Sequence, residues 1–354
     1  MTPTMTRGTT VLLLAFLVLV PSTWATGEKP PATPAGEPSP VAADEVTPAP
    51  AALPAGWSTV AVVPWGTGAG KLTEKLQSKD EQQVYAGPTR FLVFPDGGFA
   101  VLDVLGDKIE EFDSAGKSTR SLPLPVSDQH NAETLTIDMA AVAPGEYWLL
   151  NLARRAVLHV KAGAPKPETL PIEGLTPDAM LNGLTSDGRG NLYILDSNDN
   201  SFFRMSATGK AAPRFKHDAA QPLTVDPAGR FYAMSLAGKT DARHWDLVRL
   251  TPPSELETLG RIETKLEANR VDPFGLDLKG NVYVHMCCGA IENPTTVEVV
   301  RYSPDGKETG RVACPADPIE LKFAHGKAVA PDGTLYAVVV RSAGLELVKH
   351  AALP

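Results

Sequence analysis

Hydrophobic and polar residues alternate in short runs from Trp57 to Pro354, and a glycine turn precedes many of these runs. The pattern is visible in "PDGGFAVLD" ending at Asp103, "GRGNLYILD" ending at Asp196 and "PDGTLYAVV" ending at Val339. Alternation with a period of two predicts a half-buried β-strand, and a glycine supplies the positive φ that such turns require. This part of the chain is therefore predicted to consist of β-strands joined by tight turns.

The glycine turn and the strand after it occur six times, at intervals from 39 residues (Gly190 to Gly229) to 53 residues (Gly280 to Gly333). The six turn glycines are Gly97, Gly145, Gly190, Gly229, Gly280 and Gly333. Each unit continues with another strand, such as "KIEEF" or "SFFRM", and a more polar strand such as "STRSLPL" follows. Four strands per unit at this period predict an all-β fold, a six-bladed β-propeller of four-stranded antiparallel blades.

The sixth unit has only three strands, of which "LELVKH" is the last, whereas "WSTVAVVPWG" supplies a spare strand ahead of the first unit. A sheet edge that finds a partner strand is protected from unwanted pairing. We therefore predict that the N-terminal strand completes the last blade and closes the ring.

The stretch "PWGTGAGKLTEK", from Pro64 to Lys75, resembles a phosphate-binding loop. That loop requires a glycine five residues before its Gly-Lys pair and a hydroxyl directly after the lysine. Trp65 stands at the first of these positions and Leu72 at the second. We therefore predict no nucleotide site here, and interpret the stretch as the turn that leads from the closing strand into blade one.

The runs "VLDVLGDKIEEFDSAGK" and "ILDSNDNSFFRMSATGK" resemble the NHL-repeat family of six-bladed propellers. Asp103, Asn151 and Asp196 occupy the position that ties the second strand to the next turn in that family. The other three units depart from the pattern and carry Ser235, Met286 and Val339. The resemblance implies a rigid disc that binds peptides, proteins, sugars or RNA through one face, with enzymes among more distant relatives. A fold by itself does not decide between these roles.

The N-terminus has the three-part layout of a secretory signal. Arg7 precedes the apolar run from Val11 to Val20, and small residues lead to an expected cleavage after Ala25. The apolar run is short for a membrane span. We predict a signal peptide over residues 1–25, with an uncleaved N-terminal anchor as the alternative. The protein is then secreted, to a periplasm or to the extracellular space.

Residues 26–55 are rich in proline and alanine and contain no aromatic residue. Such a segment cannot bury enough apolar surface to fold, and its proline content favours an extended spacer. We predict a disordered linker over residues 26–55 and the propeller over residues 56–354.

The 354 residues carry a formal net charge of −8, and no basic stripe interrupts the mixed charges. Because nucleic-acid binding relies on clusters of Lys and Arg, we do not expect a nucleic-acid partner. We also expect no integral membrane domain and a monomer.

Polar residues recur where the inner strand of each unit is predicted to begin, at the mouth of the central channel. Counting back eight residues from each turn glycine, with one residue fewer in unit two, identifies them. They are Thr89, Asp138, Asn182, Gln221, Asp272 and His325, and Arg90 lies beside the first. We predict that this ring binds a ligand, although solvated polar side chains at a wet channel mouth are the simpler interpretation.

Asp138, Asn182, Asp272 and His325 of this ring could also hold a divalent cation. Calcium prefers oxygen ligands, whereas histidine favours zinc. Such an ion could polarise an ester or lactone carbonyl, as in lactonase-like propellers. No cofactor is certain, and calcium or zinc is the candidate.

Two long loops are predicted to form a rim on the same face. "SLAGKTDARHWD" carries Arg243, His244 and Trp245, and "HMCCGAIENPTT" carries His285. Aromatic and arginine side chains are suited to anchoring a partner. The segment "SDQHNAET" adds Asp128, His130 and Glu133 to this rim.

The three cysteines are Cys287, Cys288 and Cys314. An exported protein is expected to form a disulfide, which would leave one thiol over. We predict a bridge between Cys288 and Cys314 across blade five, with a vicinal Cys287–Cys288 bridge and free or metal-binding thiols as the alternatives.

These features favour an exported, non-catalytic binding module or scaffold for a protein, peptide or small-molecule ligand. The alternative is a metal-dependent hydrolase or lyase of the lactonase-like kind. An enzyme is the less favoured of the two, since it needs at least three metal ligands from separate blades together with an acid or base, and only the polar ring offers them.

Overall fold

A computed structural model describes residues 52–76, 85–124, 136–199, 201–206, 214–216, 220–236, 243–252, 255–289, 294–315 and 326–354. These residues belong to one compact unit, Pro50–Pro354. The predicted signal peptide and nearly all of the predicted linker lie outside them. Every regular element in the described ranges is a β-strand, and no helix there is long and apolar enough to cross a membrane.

Six four-stranded antiparallel sheets form the blades, and one two-stranded hairpin precedes blade one. The first three strands are β1 (Trp57–Pro64), β2 (Lys75–Leu76) and β3 (Tyr85–Ala86). Blade one contains β4 (Pro88–Val93), β5 (Phe99–Asp103), β6 (Lys108–Phe112) and β7 (Ser118–Pro123). Blade two contains β8 (Thr136–Ala143), β9 (Glu146–Asn151), β10 (Ala156–Lys161) and β11 (Glu168–Pro171). Blade three contains β12 (Leu181–Ser186), β13 (Asn191–Asp196), β14 (Ser201–Ser206) and β15 (Phe215–Lys216).

The remaining blades follow the same order. Blade four contains β16 (Ala220–Val225), β17 (Phe231–Leu236), β18 (His244–Thr251) and β19 (Glu255–Glu263). Blade five contains β20 (Ala268–Leu276), β21 (Val282–Gly289), β22 (Pro294–Tyr302) and β23 (Glu308–Ala313). Blade six contains β24 (Lys327–Val329), β25 (Leu335–Arg341) and β26 (Gly344–His350), completed by β1. The predicted six blades of four antiparallel strands are confirmed; the hairpin β2–β3 was not predicted.

The N-terminal strand closes the ring as predicted. β1 pairs antiparallel with β26, from Trp57 opposite His350 to Pro64 opposite Gly344. The Trp57 indole N–H also donates to the Ala313 carbonyl oxygen of blade five at 2.7 Å. The closing strand therefore joins the two ends of the propeller and contacts the neighbouring blade.

A hydrophobic cluster fills each of the six gaps between neighbouring blades. Between blades six and one, for example, Phe91 and Phe99 pack with Tyr336. Between blades three and four, Tyr193 packs with Phe231. Burying one such aromatic side chain contributes about 1.5–3 kcal/mol. The blades are held face to face by these clusters because a single sheet cannot bury both of its faces.

All six turn glycines adopt a positive φ, between 78° and 90°. Tyrosines of neighbouring blades give a second reason for glycine. A Cβ added to Gly333 would lie 2.7 Å from the Tyr283 hydroxyl oxygen, and one added to Gly229 would lie 3.0 Å from that of Tyr193. The repeated glycine thus serves both the turn and the packing of the adjacent blade.

The polar residues at the ends of the second strands in blades one to three have the predicted role. Asp103 accepts from the backbone N–H of Gly106 at 3.0 Å, and Asn151 from that of Arg154 at 2.9 Å. Asp196 accepts from the backbone N–H of Asn198. In blades five and six, Met286 and Val339 take this position as buried apolar residues.

The two ends of the ring differ. The connection face, which includes residues 65–74, 104–107, 152–155 and 264–267, carries the connections between blades and the loops between second and third strands. The glycine-turn face, at the opposite end, carries the six turn glycines. Candidate ligand-binding residues were predicted on the connection face.

Neither predicted disulfide is formed: Cys287, Cys288 and Cys314 are free, buried thiols. β21 continues through Cys287 and Cys288, so these two lie in a strand rather than in a loop and point to opposite faces of blade five. Cys314 follows β23, and β22 lies between that strand and β21. Two strand spacings amount to about 9.5 Å, more than the roughly 7 Å that a disulfide allows between Cα atoms.

Candidate functional site

The described residues of the predicted ring lie on the inner strands of their blades. Thr89 and Arg90 belong to β4, Asp138 to β8, Asn182 to β12 and Asp272 to β20. The Gln221 backbone belongs to β16, while its side chain and the whole of His325 lie outside the described residues. Ligand binding by this ring remains a prediction.

β-Bulges change the register that counting from the turn glycines predicts. In blade one, Pro88 pairs with Asp103 and Arg90 with Leu102, which leaves Thr89 as the extra residue. Asn182 of blade three is bulged in the same way. The residues at one level of the inner strands are therefore Arg90, Asp138, Gly183, Ala220 and Asp272.

Asp138 connects three blades. One carboxylate oxygen accepts from the Met139 backbone N–H at 2.8 Å and lies 3.4 Å from Arg90 Nε of blade one. The other accepts from the Leu184 backbone N–H of blade three at 2.8 Å. Asp138 is 2% exposed. A buried carboxylate with these partners stabilises the arrangement of blades one, two and three, since losing a partner would leave its charge uncompensated.

Asp272 occupies the matching position in blade five, facing blade six. It forms an ion pair with Arg270, two residues earlier on β20. Asp272 pairs with His285 across β20 and β21, and Arg270 pairs with Cys287. Because paired residues point to the same face, these four side chains share one side of the blade. We call Arg270, Asp272, His285, Cys287, Cys314 and Lys327 the blade five–six cluster.

Burial dominates the electrostatics of this cluster. It lowers the pKa of His285 well below the usual 6.5, with Lys327 and Arg270 acting in the same direction. It raises the pKa of Asp272, against the opposing effect of Arg270. His285 is therefore neutral at physiological pH, and its Nε2 atom lies 3.4 Å from Cys287 Sγ.

The described part of the predicted metal site does not fit a divalent ion. Within the described ranges, no three His, Cys, Asp or Glu side chains come together in a way that could hold a metal. Asp138 and Asp272 already face Arg90 and Arg270, which an ion would have to displace. The complete predicted set, which includes His325, remains a prediction.

The rim residues of blade four lie where predicted, but two of them belong to a strand. Arg243 is exposed, whereas His244 and Trp245 are half-buried and begin β18. The Arg243 carbonyl oxygen accepts from the Thr264 backbone N–H at 2.9 Å, which joins the rim to the connection into blade five. His285 was also predicted in a rim loop and is instead buried within β21. Asp128, His130 and Glu133 lie outside the described residues.

Lys108 is a buried polar residue that the sequence analysis did not single out. Its Nζ atom donates to the carbonyl oxygens of Gly68 and Lys71, at 2.5 Å each, and lies 3.3 Å from Glu110. A usable signal was present, because "KIEEF" places three charged residues in a strand that was predicted to pack inside a blade.

These contacts explain the glycine-rich stretch on the connection face. A phosphate-binding loop turns its backbone N–H groups toward the ligand, whereas here carbonyl oxygens turn toward the Lys108 ammonium. Glu110 accepts the Gly70 N–H at 2.6 Å, and Asp103 accepts the Thr73 N–H at 2.9 Å. The stretch is therefore the connection that was predicted, docked on blade one.

Comparisons with known proteins give no family assignment. No protein-family model and no curated protein sequence matches the chain. Membership of the NHL-repeat family thus remains a prediction.

Solved structures similar to this one share little sequence with it. Virginiamycin B lyase from Staphylococcus aureus is 15% identical, with 78% of this chain and 87% of that chain covered and a TM-score of 0.45. Regucalcin from Agrobacterium tumefaciens, a calcium-binding protein, is 14% identical, with 75% and 90% covered and a TM-score of 0.49. YCF48 bound to a D1 peptide is 12% identical, with 82% and 97% covered and a TM-score of 0.44. Similarity at this level says nothing about activity, and the six-bladed fold rests on the strand pairings of this chain.

Proposed function

We propose that this protein is an exported, non-catalytic binding module that holds its ligand on the connection face. The proposal rests on the contacts of Asp138, the acidic residue of the predicted ring that was best placed for catalysis. This side chain links neighbouring blades. Both of its oxygens bind backbone N–H groups, and Arg90 faces it. A wall built from such contacts provides a rigid frame for the loops around it.

The rim of blade four is the proposed contact surface. Arg243 is exposed and Trp245 is half-buried, and Leu266, 45% exposed, follows in the adjacent connection. Arginine and tryptophan are the side chains that most often dominate binding energy in protein interfaces. A peptide or protein segment is the ligand class that suits this combination. The predicted signal peptide and the predicted proline-rich linker would present this face outside the cytoplasm.

A displayed peptide library tests the binding proposal. We expect the purified protein to enrich a family of related peptides, and Arg243→Ala combined with Trp245→Ala to reduce their affinity about tenfold or more, as expected when anchor residues are removed. Leu278→Ala combined with Lys279→Ala is the matched control. This pair is exposed on the glycine-turn face and should leave binding unchanged. Equal losses in both double variants would contradict the assignment of the face.

A thermal melt separates the binding module from the metal-dependent hydrolase. A ligand present at a hundred times its dissociation constant adds about 2.7 kcal/mol to the stability of a folded protein. We expect unchanged midpoints with chelator and with added calcium, zinc or manganese, and no turnover of lactones or esters. A midpoint that falls with chelator and recovers with one metal, together with metal-dependent turnover, would replace the binding proposal by the hydrolase.

A further inference from the structure

The blade five–six cluster contains two thiols and one amine that come from different blades. Cys287 and Cys314 belong to the same buried cluster as Ala337 of β25. Lys327 pairs with Ala337 across β24 and β25. Because paired residues share a face, the Lys327 side chain points from blade six toward the two thiols of blade five.

Cys287 is a buried thiol with a histidine and two basic side chains around it. His285 Nε2 lies 3.4 Å from its sulfur. Burial raises the pKa of the Cys287 thiol, and the positive charges of Lys327 and Arg270 offset only part of that increase. The Lys327 amine interacts electrostatically with Cys314 and Cys287, and burial lowers its pKa, which increases the share of the nucleophilic neutral amine.

No second thiol can trap an oxidised Cys287 without a shift of the backbone. Val297 is the partner of Cys287 on β22, and its carbonyl oxygen accepts the Cys314 N–H at 2.8 Å. Cys287 and Cys314 therefore stand on either side of Val297, about 9.5 Å apart by strand spacing. Cys288 belongs to the cluster on the other face of the blade. The amine of Lys327 is the group left to react.

We propose that Cys287 and Lys327 form a reversible covalent cross-link between blades five and six when the protein meets peroxide. In the first step the Cys287 thiol reduces hydrogen peroxide, the sulfur becomes a sulfenic acid, and one water leaves. In the second step the Lys327 amine attacks that sulfur, an S–N bond replaces the S–OH bond, and a second water leaves. Sulfenic acids are known to condense with nitrogen in this way, and thiols reverse the product.

Mass spectrometry of the intact protein and of its digest tests the proposal. After peroxide treatment we expect a product lighter than the reduced protein by two hydrogen atoms, with the peptides of Cys287 and Lys327 joined. Dithiothreitol should restore the starting mass. The oxidised protein should also melt at a higher temperature, because the link joins two blades.

Matched variants identify the two partners. Lys327→Arg keeps the positive charge but lacks a primary amine; it should lose the cross-link, and its Cys287 should progress to sulfinic acid under the same treatment. Cys288→Ser and Cys314→Ser should keep the cross-link. A link that survives in Lys327→Arg would overturn the proposal. So would a link that disappears in Cys314→Ser but persists in Cys287→Ser. Sulfinic acid at Cys287 as the first product of the unmodified sequence would overturn it as well.

Discussion

Glu111 of blade one accepts a hydrogen bond from the hydroxyl of Tyr147 in blade two at 2.7 Å. The same oxygen accepts the Gly145 backbone N–H at 2.5 Å, and Arg120 lies 3.1 Å from the other oxygen. In three other blades an aspartate of the blade's own turn binds a tyrosine that faces the next blade: Asp187 binds Tyr193, Asp226 binds Tyr232 and Asp277 binds Tyr283. Tyr147 follows its turn glycine by two residues rather than three and faces blade one, so its acceptor comes from that neighbouring blade.

Glu111→Ala should lower the free energy of unfolding by about 2 kcal/mol, because the Tyr147 hydroxyl and the Gly145 N–H would lose their buried acceptor. Chemical denaturation at neutral pH measures the loss. Glu257→Ala is the control: Glu257 is 51% exposed in its pair with Arg249, and exposed pairs contribute less than about 1 kcal/mol. Equal effects of the two substitutions would show that Glu111 does not link the blades.

Lys108→Met should destabilise the protein by about 3–5 kcal/mol, since it leaves the buried Glu110 charge without its partner. The backbone N–H of Gly66 donates to the Leu72 carbonyl oxygen, and that of Leu72 donates to the Pro64 carbonyl oxygen. These two amide hydrogens should exchange with solvent faster in the variant. Adding Glu110→Gln should recover part of the stability, because it removes the uncompensated charge and keeps an acceptor for the Gly70 N–H. A double variant as unstable as the single one would contradict this explanation, and so would unchanged exchange at Gly66 and Leu72.

Gly333→Ala should cost more stability than Gly163→Ala. Both glycines have a positive φ, 89° and 80°, and a left-handed conformation costs an alanine about 1–2 kcal/mol. Only at Gly333 would the new Cβ also meet the Tyr283 hydroxyl oxygen, at 2.7 Å, whereas nothing lies within 4 Å at Gly163. Overpacking of this kind adds about 1–3 kcal/mol. Urea unfolding of the two variants should therefore separate them, and equal midpoints would count against the close approach of the blades.

Stability should fall on acidification through the pKa of an unfolded histidine. His285 has a pKa well below 6.5 in the folded protein because it is buried, so below pH 6.5 only the unfolded chain takes up its proton. The unfolded state then binds more protons and stability decreases as the pH falls. This one group accounts for about 1.4 kcal/mol per pH unit below pH 6.5.

Denaturation of the unmodified protein and of His285→Gln between pH 7 and pH 5 measures that contribution. The slope of stability against pH should be smaller in His285→Gln by about the stated amount. A His285→Gln variant with an unchanged slope would mean that this histidine is protonated in the folded state.

The sequence alone predicted the six blades, their strand order and the closing strand. Alternating patterns mark each strand locally, and a positive φ at Gly97 or Gly333 demands the same residue wherever the turn recurs. The missing glycine at Trp65 and the missing hydroxyl at Leu72 were also local facts, and they correctly excluded a phosphate-binding loop.

The channel mouth could be predicted only in part. Asp138 and Asp272 were identified at the level where the structure has them, but the bulges at Thr89 and Asn182 moved the neighbouring positions by one residue. A bulge depends on how two strands pair, and nothing in the local alternation marked it. The disulfide prediction was wrong for a similar reason. β22 separates β21 from the strand before Cys314, and this strand order is a property of the assembled sheet rather than of the local sequence.

What the sequence determined by itself was therefore the set of strands and turns, because both follow from short-range periodicity and backbone conformation. The tertiary structure decided which polar groups meet. Lys108 finds the carbonyl oxygens of Gly68 and Lys71, and the thiol of Cys287 lies on the face of blade five toward which Lys327 points. These partners stand tens of residues apart along the chain, and only the packing of one blade on the next brings them together.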